Sequence, residues 1–207
     1  TNEYRNLKGG EIYESEESNP MMGYRGAIRY INDKDVFELE INAIKHVLKK
    51  YNNLIIMIPF VRTPIELRKV ISILSNYEIS ISNGHKIWMM VELPSNVILI
   101  NQFINEGING ISIGSNDLTE LTLGVDRDNE KLEESFDERD PSVLWALERV
   151  ITAANKQGIT SSICGQAPSF FPDLTERLVK WGITSVSVSP DSIDSTRDLV
   201  YRIEQQL

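Results

Sequence analysis

An alternation along this chain limits the folds open to it. Short apolar runs rich in β-branched residues recur along it, separated by stretches of helical period, as in parallel strands joined by crossover helices. The clearest run is 53-NLIIMIPF-60, nearly all apolar, as expected of a parallel strand buried on both faces. Further strand candidates are 86-KIWMMVE-92, 110-GISIG-114, 159-ITSSIC-164 and 184-TSVSVS-189, with a short sixth within 20-PMMGYRG-26. Between them the helices have legible ends. Phe37, Ile41, Ile44 and Leu48 fall on one face of a helix expected from about Asp35 to Lys50. Thr63-Pro64-Ile65-Glu66 reads as a capping box, with the glutamate reaching back to the cap. Asp140-Pro141 opens a long helix that carries Leu144, Leu147 and Ile151 and stops at Gly158. Pro172 opens another that ends at Trp181-Gly182, and a last one runs from about Ser192 to Glu204.

A length of 207 residues fits one domain, and 41% apolar with 25% charged residues is an ordinary globular composition. Against 21 basic side chains stand 30 acidic ones, a net charge of −9, which argues against nucleic acid or an anionic membrane surface as the main partner. No apolar run approaches the ~20 residues of a membrane span. The single cysteine, Cys164, cannot form an intramolecular disulfide, which fits a reducing cytoplasm. No signal peptide precedes the first folded-looking segment, and a start at Thr1 without methionine is expected of a piece of something longer. The segment 126-DRDNEKLEESFDERD-140 holds eight acidic and three basic side chains and reads as a solvated connection.

Such a pattern suits either an open doubly wound sheet or part of a closed barrel. No glycine fingerprint follows a strand, which weakens the first. In both, functional residues belong at the carboxyl ends of the strands. Polar residues collect there: Glu92, then Gly114-Ser115-Asn116-Asp117, then Cys164-Gly165-Gln166. Glu92 and Asp117 end consecutive strands, so their carboxylates can converge as two hard oxygen ligands for Mg²⁺. The same spacing fits Glu92 capping a helix from Pro94 and Asp117 capping the next short turn. Cys164 can exchange a proton or be an inert small hydrophobe. Arg25 suits a bidentate grip on phosphate or carboxylate, or a surface ion pair. Arg62 and Arg127 also follow strand-like or loop-forming segments. His46, on the solvent side of its helix, and His85, in an Asn-Gly-His turn, carry little.

Taken together, several runs resemble a known family: 2-NEYRNLKGG-10, 19-NPMMGYRGAIRYI-31, 57-MIPFVRT-63, 89-MMVELPSNVIL-99, 110-GISIGSNDLTELTLGVDRD-128, 136-FDERDPSV-143 and 164-CGQAPS-169. They are similar to the C-terminal phosphoenolpyruvate/pyruvate-binding domain of the PEP-utilising enzymes. Pro-Phe-Val-Arg-Thr and Cys-Gly-Gln-Ala-Pro-Ser resemble its phosphoenolpyruvate synthase (pyruvate, water dikinase) branch rather than enzyme I of the sugar phosphotransferase system. The resemblance implies a TIM-type (β/α)8 barrel, of which residues 1–207 would be one partial domain lacking the first two strands. It implies Mg²⁺ held by Glu92 and Asp117. Arg25 and Arg127 would approach the phosphoryl group, and Gly114, Ser115 and Asn116 would hold the substrate. Cys164 would exchange a proton with the substrate's methyl or methylene carbon. It further implies a longer ATP-binding enzyme of gluconeogenic type, in which a phosphohistidine from another domain of the same chain serves pyruvate, and a homodimer. Two alternatives accompany it: a non-catalytic dimerisation scaffold, and an enzyme I-type phosphocarrier domain. Ser115 stands where other branches carry threonine, Tyr24 where tryptophan is frequent, and Phe170-Phe171 where polar residues are usual.

Overall fold

The structure, a computed structural model, describes residue 17 and residues 19–207. The run 2–10 quoted above lies outside them. Five parallel strands, β1 (Ile55–Ile58), β2 (Lys86–Val91), β3 (Gly110–Gly114), β4 (Thr160–Cys164) and β5 (Ser185–Val186), pair in the order β1-β2-β3-β4-β5. Each strand lies beside the one before it and the order never reverses. A doubly wound sheet requires such a reversal, so the sheet is instead an arc of a (β/α) barrel.

Helices α1 (Ala27–Asn32) and α2 (Lys34–Leu48) precede the sheet, and α3 (Pro64–Asn76) joins β1 to β2. The next crossover holds α4 (Pro94–Ile98) and α5 (Ile100–Ile104). Between β3 and β4 run α6 (Ser115–Leu123) and α7 (Pro141–Lys156). The β4–β5 connection holds α8 (Ala167–Phe170) and α9 (Pro172–Lys180), and α10 (Ile193–Glu204) follows. Among these residues no helix is long and apolar enough to cross a membrane.

Register explains why the strands carry the residues they do. Ile58, Met89, Ile111 and Ser161 align on one face, followed one layer on by Val91, Ile113, Ile163 and Val186. This face packs against Leu67, Val70, Leu74, Leu147, Val150 and Leu178 of the helices, all fully buried. Each such side chain contributes about 1.5–3 kcal/mol on burial. The opposite face carries Trp88 and Met90, then Ser112 and Ser162, and at its carboxyl rim Glu92, Gly114 and Cys164.

Four expectations need correction. Residues 20–26 form turns, not a sixth strand: the Gly23 N–H donates to the Pro20 carbonyl (3.2 Å) and the Arg25 N–H to that of Gly23 (3.0 Å). Those backbone groups are satisfied locally, so no ladder forms. Strand β1 is not buried on both faces, because Ile55 and Met57 are each 39% exposed on the inward side of a sheet edge. At the start of α3, Thr63 Oγ1 accepts the Glu66 N–H (3.1 Å), but the Glu66 carboxylate takes the Arg62 N–H one residue before the cap. Finally, the acidic connection is not wholly solvated. Its exposed part includes the 3₁₀ turn Glu130–Ser135, whereas Glu138 is buried.

Candidate functional site

The rim of the arc is built where β2, β3 and β4 end. Glu92 follows β2 directly and is 6% exposed. Its side chain does not cap α4. Asn96 does so, its Oδ1 accepting the N–H groups of Glu92 (3.1 Å) and Leu93 (3.0 Å). The Glu92 carboxylate instead accepts the Phe60 N–H (2.7 Å) at the end of β1. Gly114 permits this placement, since a Cβ there would lie 2.7 Å from Glu92 Cγ.

From Gly114 the chain turns straight into α6, which puts Asp117 in its first turn with 8% exposure. Asp117 is an ion-pair centre rather than a cap. Arg25 Nη2 donates to its Oδ2 (3.0 Å) and Arg127 Nη1 to its Oδ1 (3.3 Å). Arg127 also lies 3.8 Å from Glu120. The turns over 20–26 thus place Arg25 at the rim, and the residue 126–140 connection does the same for Arg127. The carboxylates of Glu92 and Asp117 are within hydrogen-bonding reach of each other. Burial, with the nearby Asp117 charge, pushes the Glu92 carboxyl up to about 7, against the pull of the Phe60 N–H and Arg25.

Cys164 ends β4 directly beside Gly114. Its thiol approaches the Ile113 carbonyl at 3.5 Å and Ser112 is within reach. Burial raises the thiol pKa and the charges of Glu92 and Asp117 add to it, although the Ser112 contact lowers it. The group is therefore a protonated thiol at neutral pH. Ser115 is fully buried, and its hydroxyl donates to the Cys164 carbonyl (3.1 Å). Glu138 reaches the Ser115 side chain from the acidic connection, its own pKa raised by burial. Asn116 borders a cavity of about 520 Å³ that also touches Arg127, Glu138, Gln166, Phe170 and Phe171.

Glu92, Asp117, Arg25, Arg127, Ser115, Asn116 and Cys164 thus gather at one rim. His46 is exposed on α2 and His85 packs against the Ser80 backbone, so neither joins them. Phe60, Ser112 and Glu138 join the rim without having been candidates from the sequence. Of these only Phe60 carried a signal, as the residue ending an apolar strand after Pro59. The donor set suits a hard divalent cation. Burial, with the nearby Asp117 charge, raises the proton affinity of the Glu92 carboxylate, an arrangement that a cation relieves. Among the described residues no group of three or more His, Cys, Asp or Glu side chains converges as a ready metal cage. Other coordination positions would fall to water and substrate, as is usual for Mg²⁺.

An arc of parallel strands with acids, arginines and a thiol at its carboxyl rim has the layout of a (β/α)-barrel functional site. The family model described as PEP-utilising enzyme, PEP-binding domain, matches residues 1–205, and the chain belongs to that family. It is 49% identical to a probable phosphoenolpyruvate synthase of Staphylothermus marinus over 100% of this chain. Its identity is 50% to the phosphoenolpyruvate synthase of Pseudomonas aeruginosa and 47% to that of Escherichia coli, each over 95% of this chain. The chain spans about a quarter of the length of these relatives, which is 25% in each of the three cases. Among solved structures, RipC from Yersinia pestis matches with a TM-score of 0.50 at 16% identity, covering 75% of this chain and 68% of that one. The citrate lyase beta subunit of M. tuberculosis, complexed with oxaloacetate and magnesium, matches with a TM-score of 0.52 at 15% identity, covering 73% and 62%. These two likenesses show the barrel fold.

Proposed function

We propose that the chain is the phosphoenolpyruvate/pyruvate half-site of a phosphoenolpyruvate synthase, a pyruvate, water dikinase. One observation carries the reading: Asp117 is shared by two arginines, lies within reach of Glu92, and sits across the rim from a protonated cysteine. That is a place to hold an anion, a cation and a carbon acid together.

In this reading Glu92 and Asp117 would hold Mg²⁺. Bound there, the ion would act as a Lewis acid on the carboxylate and carbonyl oxygens of pyruvate. Arg25 and Arg127 would neutralise the phosphoryl oxygens during transfer. The backbone and amide groups of Gly114, Ser115 and Asn116 would seat the substrate carboxylate. Cys164 would hold the proton exchanged with C3. Its raised pKa suits delivery of a proton to the methylene carbon of phosphoenolpyruvate, and the reverse step would take that proton back from the methyl group of pyruvate. The phosphoryl group would arrive on a phosphohistidine from another domain of a longer chain. The whole reaction would convert ATP, pyruvate and water to phosphoenolpyruvate, AMP and phosphate, in a cytoplasmic homodimer.

Exchange of the methyl protons of pyruvate in D₂O, followed by NMR with this chain and Mg²⁺, tests the reading. Exchange that requires both the metal and Cys164 supports it. Metal-independent exchange, or exchange unchanged in Cys164→Ser, contradicts it.

A further inference from the structure

Phe60 occupies an unusual backbone position. It follows β1 and Pro59 with φ +44°, a left-handed conformation that only Glu78 shares among the described non-glycine residues. The fold holds it there from the opposite side. Gly26, at φ +71°, lies so close that a Cβ on it would stand 2.3 Å from Phe60 Cβ. The Ala27 N–H adds a bond to the Pro59 carbonyl (3.0 Å). Strained non-glycine backbone persists where the surroundings over-determine it, and such places cluster at functional sites.

The conformation has two products. It aims the Phe60 N–H at Glu92 Oε2, at 2.7 Å. It also sets the ring beneath two guanidinium groups, with Arg25 Cζ 4.1 Å and Arg62 Cζ 4.9 Å from the centroid. Arg62 in turn donates to the backbone carbonyls of Arg25 (3.0 Å) and Gly23 (2.5 Å), fixing the turn from which Arg25 projects. Arg25 Nε is buried and has no hydrogen-bond partner among the described residues, so the ring face stands against a part of the guanidinium that no acceptor holds. Arg25, Phe60 and Glu92 also border a cavity of about 270 Å³. Without the ring, only the Nη contacts to Asp117 and to Met21 would hold the guanidinium beside that cavity.

We propose that Phe60 is a positioning residue of this site, holding the Arg25 guanidinium with its ring and the Glu92 carboxylate with its backbone N–H. The proposal rests on the functional reading above for the identity of the ligands, but not for the positioning itself. It separates two effects that one residue exerts. Phe60→Leu keeps the N–H to Glu92 and much of the apolar volume while removing the aromatic face. Phe60→Tyr keeps both.

Two measurements on the 207-residue chain decide it. The first is ¹⁵N relaxation of the Arg25 Nε–H without ligand. The group is expected to be ordered in the wild type and in Phe60→Tyr, and mobile in Phe60→Leu. The second is titration with phosphoenolpyruvate and, separately, with oxalate, both with Mg²⁺. Phe60→Leu should weaken phosphoenolpyruvate about tenfold and oxalate by no more than about twofold, because only the former carries a phosphoryl group for Arg25. Phe60→Tyr should restore the tighter affinity. A structural lesion alone would weaken both ligands together, and that result overturns the proposal. So does an Arg25 Nε–H equally ordered in Phe60→Leu. If the wild type binds neither ligand, the functional reading fails, and the relaxation measurement still decides the positioning.

Discussion

Glu92 makes a prediction about stability that follows from its surroundings alone. Its carboxyl is pushed from 4.5 up to about 7, chiefly by burial. Between those two values the folded state holds a proton that the unfolded chain has released, so stability falls as pH rises through that window. Above pH 7 the folded protein carries the full cost of a buried carboxylate. At 1.36 kcal/mol per pH unit, the interval from 4.5 to 7 corresponds to about 3 kcal/mol. Glu92→Gln removes that cost, and its amide oxygen can still accept the Phe60 N–H. Without metal, the variant is therefore more stable than the wild type at pH 8 by about 3 kcal/mol, a rise in Tm of about 6–12 °C for a chain of this size. At pH 4.5 the unfolded chain is only half ionised, and the difference shrinks to about 0.4 kcal/mol. Thermal unfolding in EDTA across pH 4.5–8 reads this directly. Added Mg²⁺ should stabilise the wild type and not the variant. A variant no more stable than the wild type at pH 8, or a gain independent of pH, would show that burial of the Glu92 carboxylate carries no such cost.

Other outcomes follow from neighbouring contacts. Asp117→Ala strips Arg25 of its carboxylate partner and should cost on the order of 2 kcal/mol by urea unfolding, less than a wholly buried pair because Arg127 is exposed. It should also abolish Mg²⁺-dependent oxalate binding. Cys164→Ser should retain that binding while slowing C3 proton exchange at least about a hundredfold, read by NMR. Gly26→Ala, which drives a Cβ into Phe60, should weaken phosphoenolpyruvate as Phe60→Leu does and lower Tm as well. Leu147→Ala on α7, fully buried and remote from the rim, should cost about 3 kcal/mol in urea with oxalate affinity unchanged, because cavity formation acts on folding rather than on the site.

The strand–helix rhythm was legible because parallel strands covered by helices need apolar runs, and proline and glycine mark the helix ends at Pro64, Pro141, Pro172, Gly158 and Gly182. Barrel or doubly wound sheet was not decided by local pattern. Strand order decides it, and order depends on pairing between distant segments. The rim acids and Cys164 were legible as polar residues ending apolar runs. Arg25 was legible as a residue, but the strand drawn through it was wrong: in 20-PMMGYRG-26 the turn-forming Pro20 and Gly23 override a short apolar pair. Glu138 was hidden in a charge run whose other acids are solvated, since burial of one carboxylate among eight depends on the path of the loop. The role of Phe60 depends on a left-handed backbone angle and a close approach by Gly26, 34 positions earlier in the sequence, which no local pattern records.

The rim is proposed to form a metal-dependent site for the dianionic enolate of pyruvate. Isothermal titration of this chain with oxalate, a planar mimic of the pyruvate enolate, tests it most directly, with Mg²⁺ in one series and EDTA in the other. Saturable one-to-one binding is expected with Mg²⁺, none in EDTA, and none in Glu92→Gln or Asp117→Ala with the metal present. Binding of equal strength with and without Mg²⁺, or no binding by a chain shown to be folded, would contradict it.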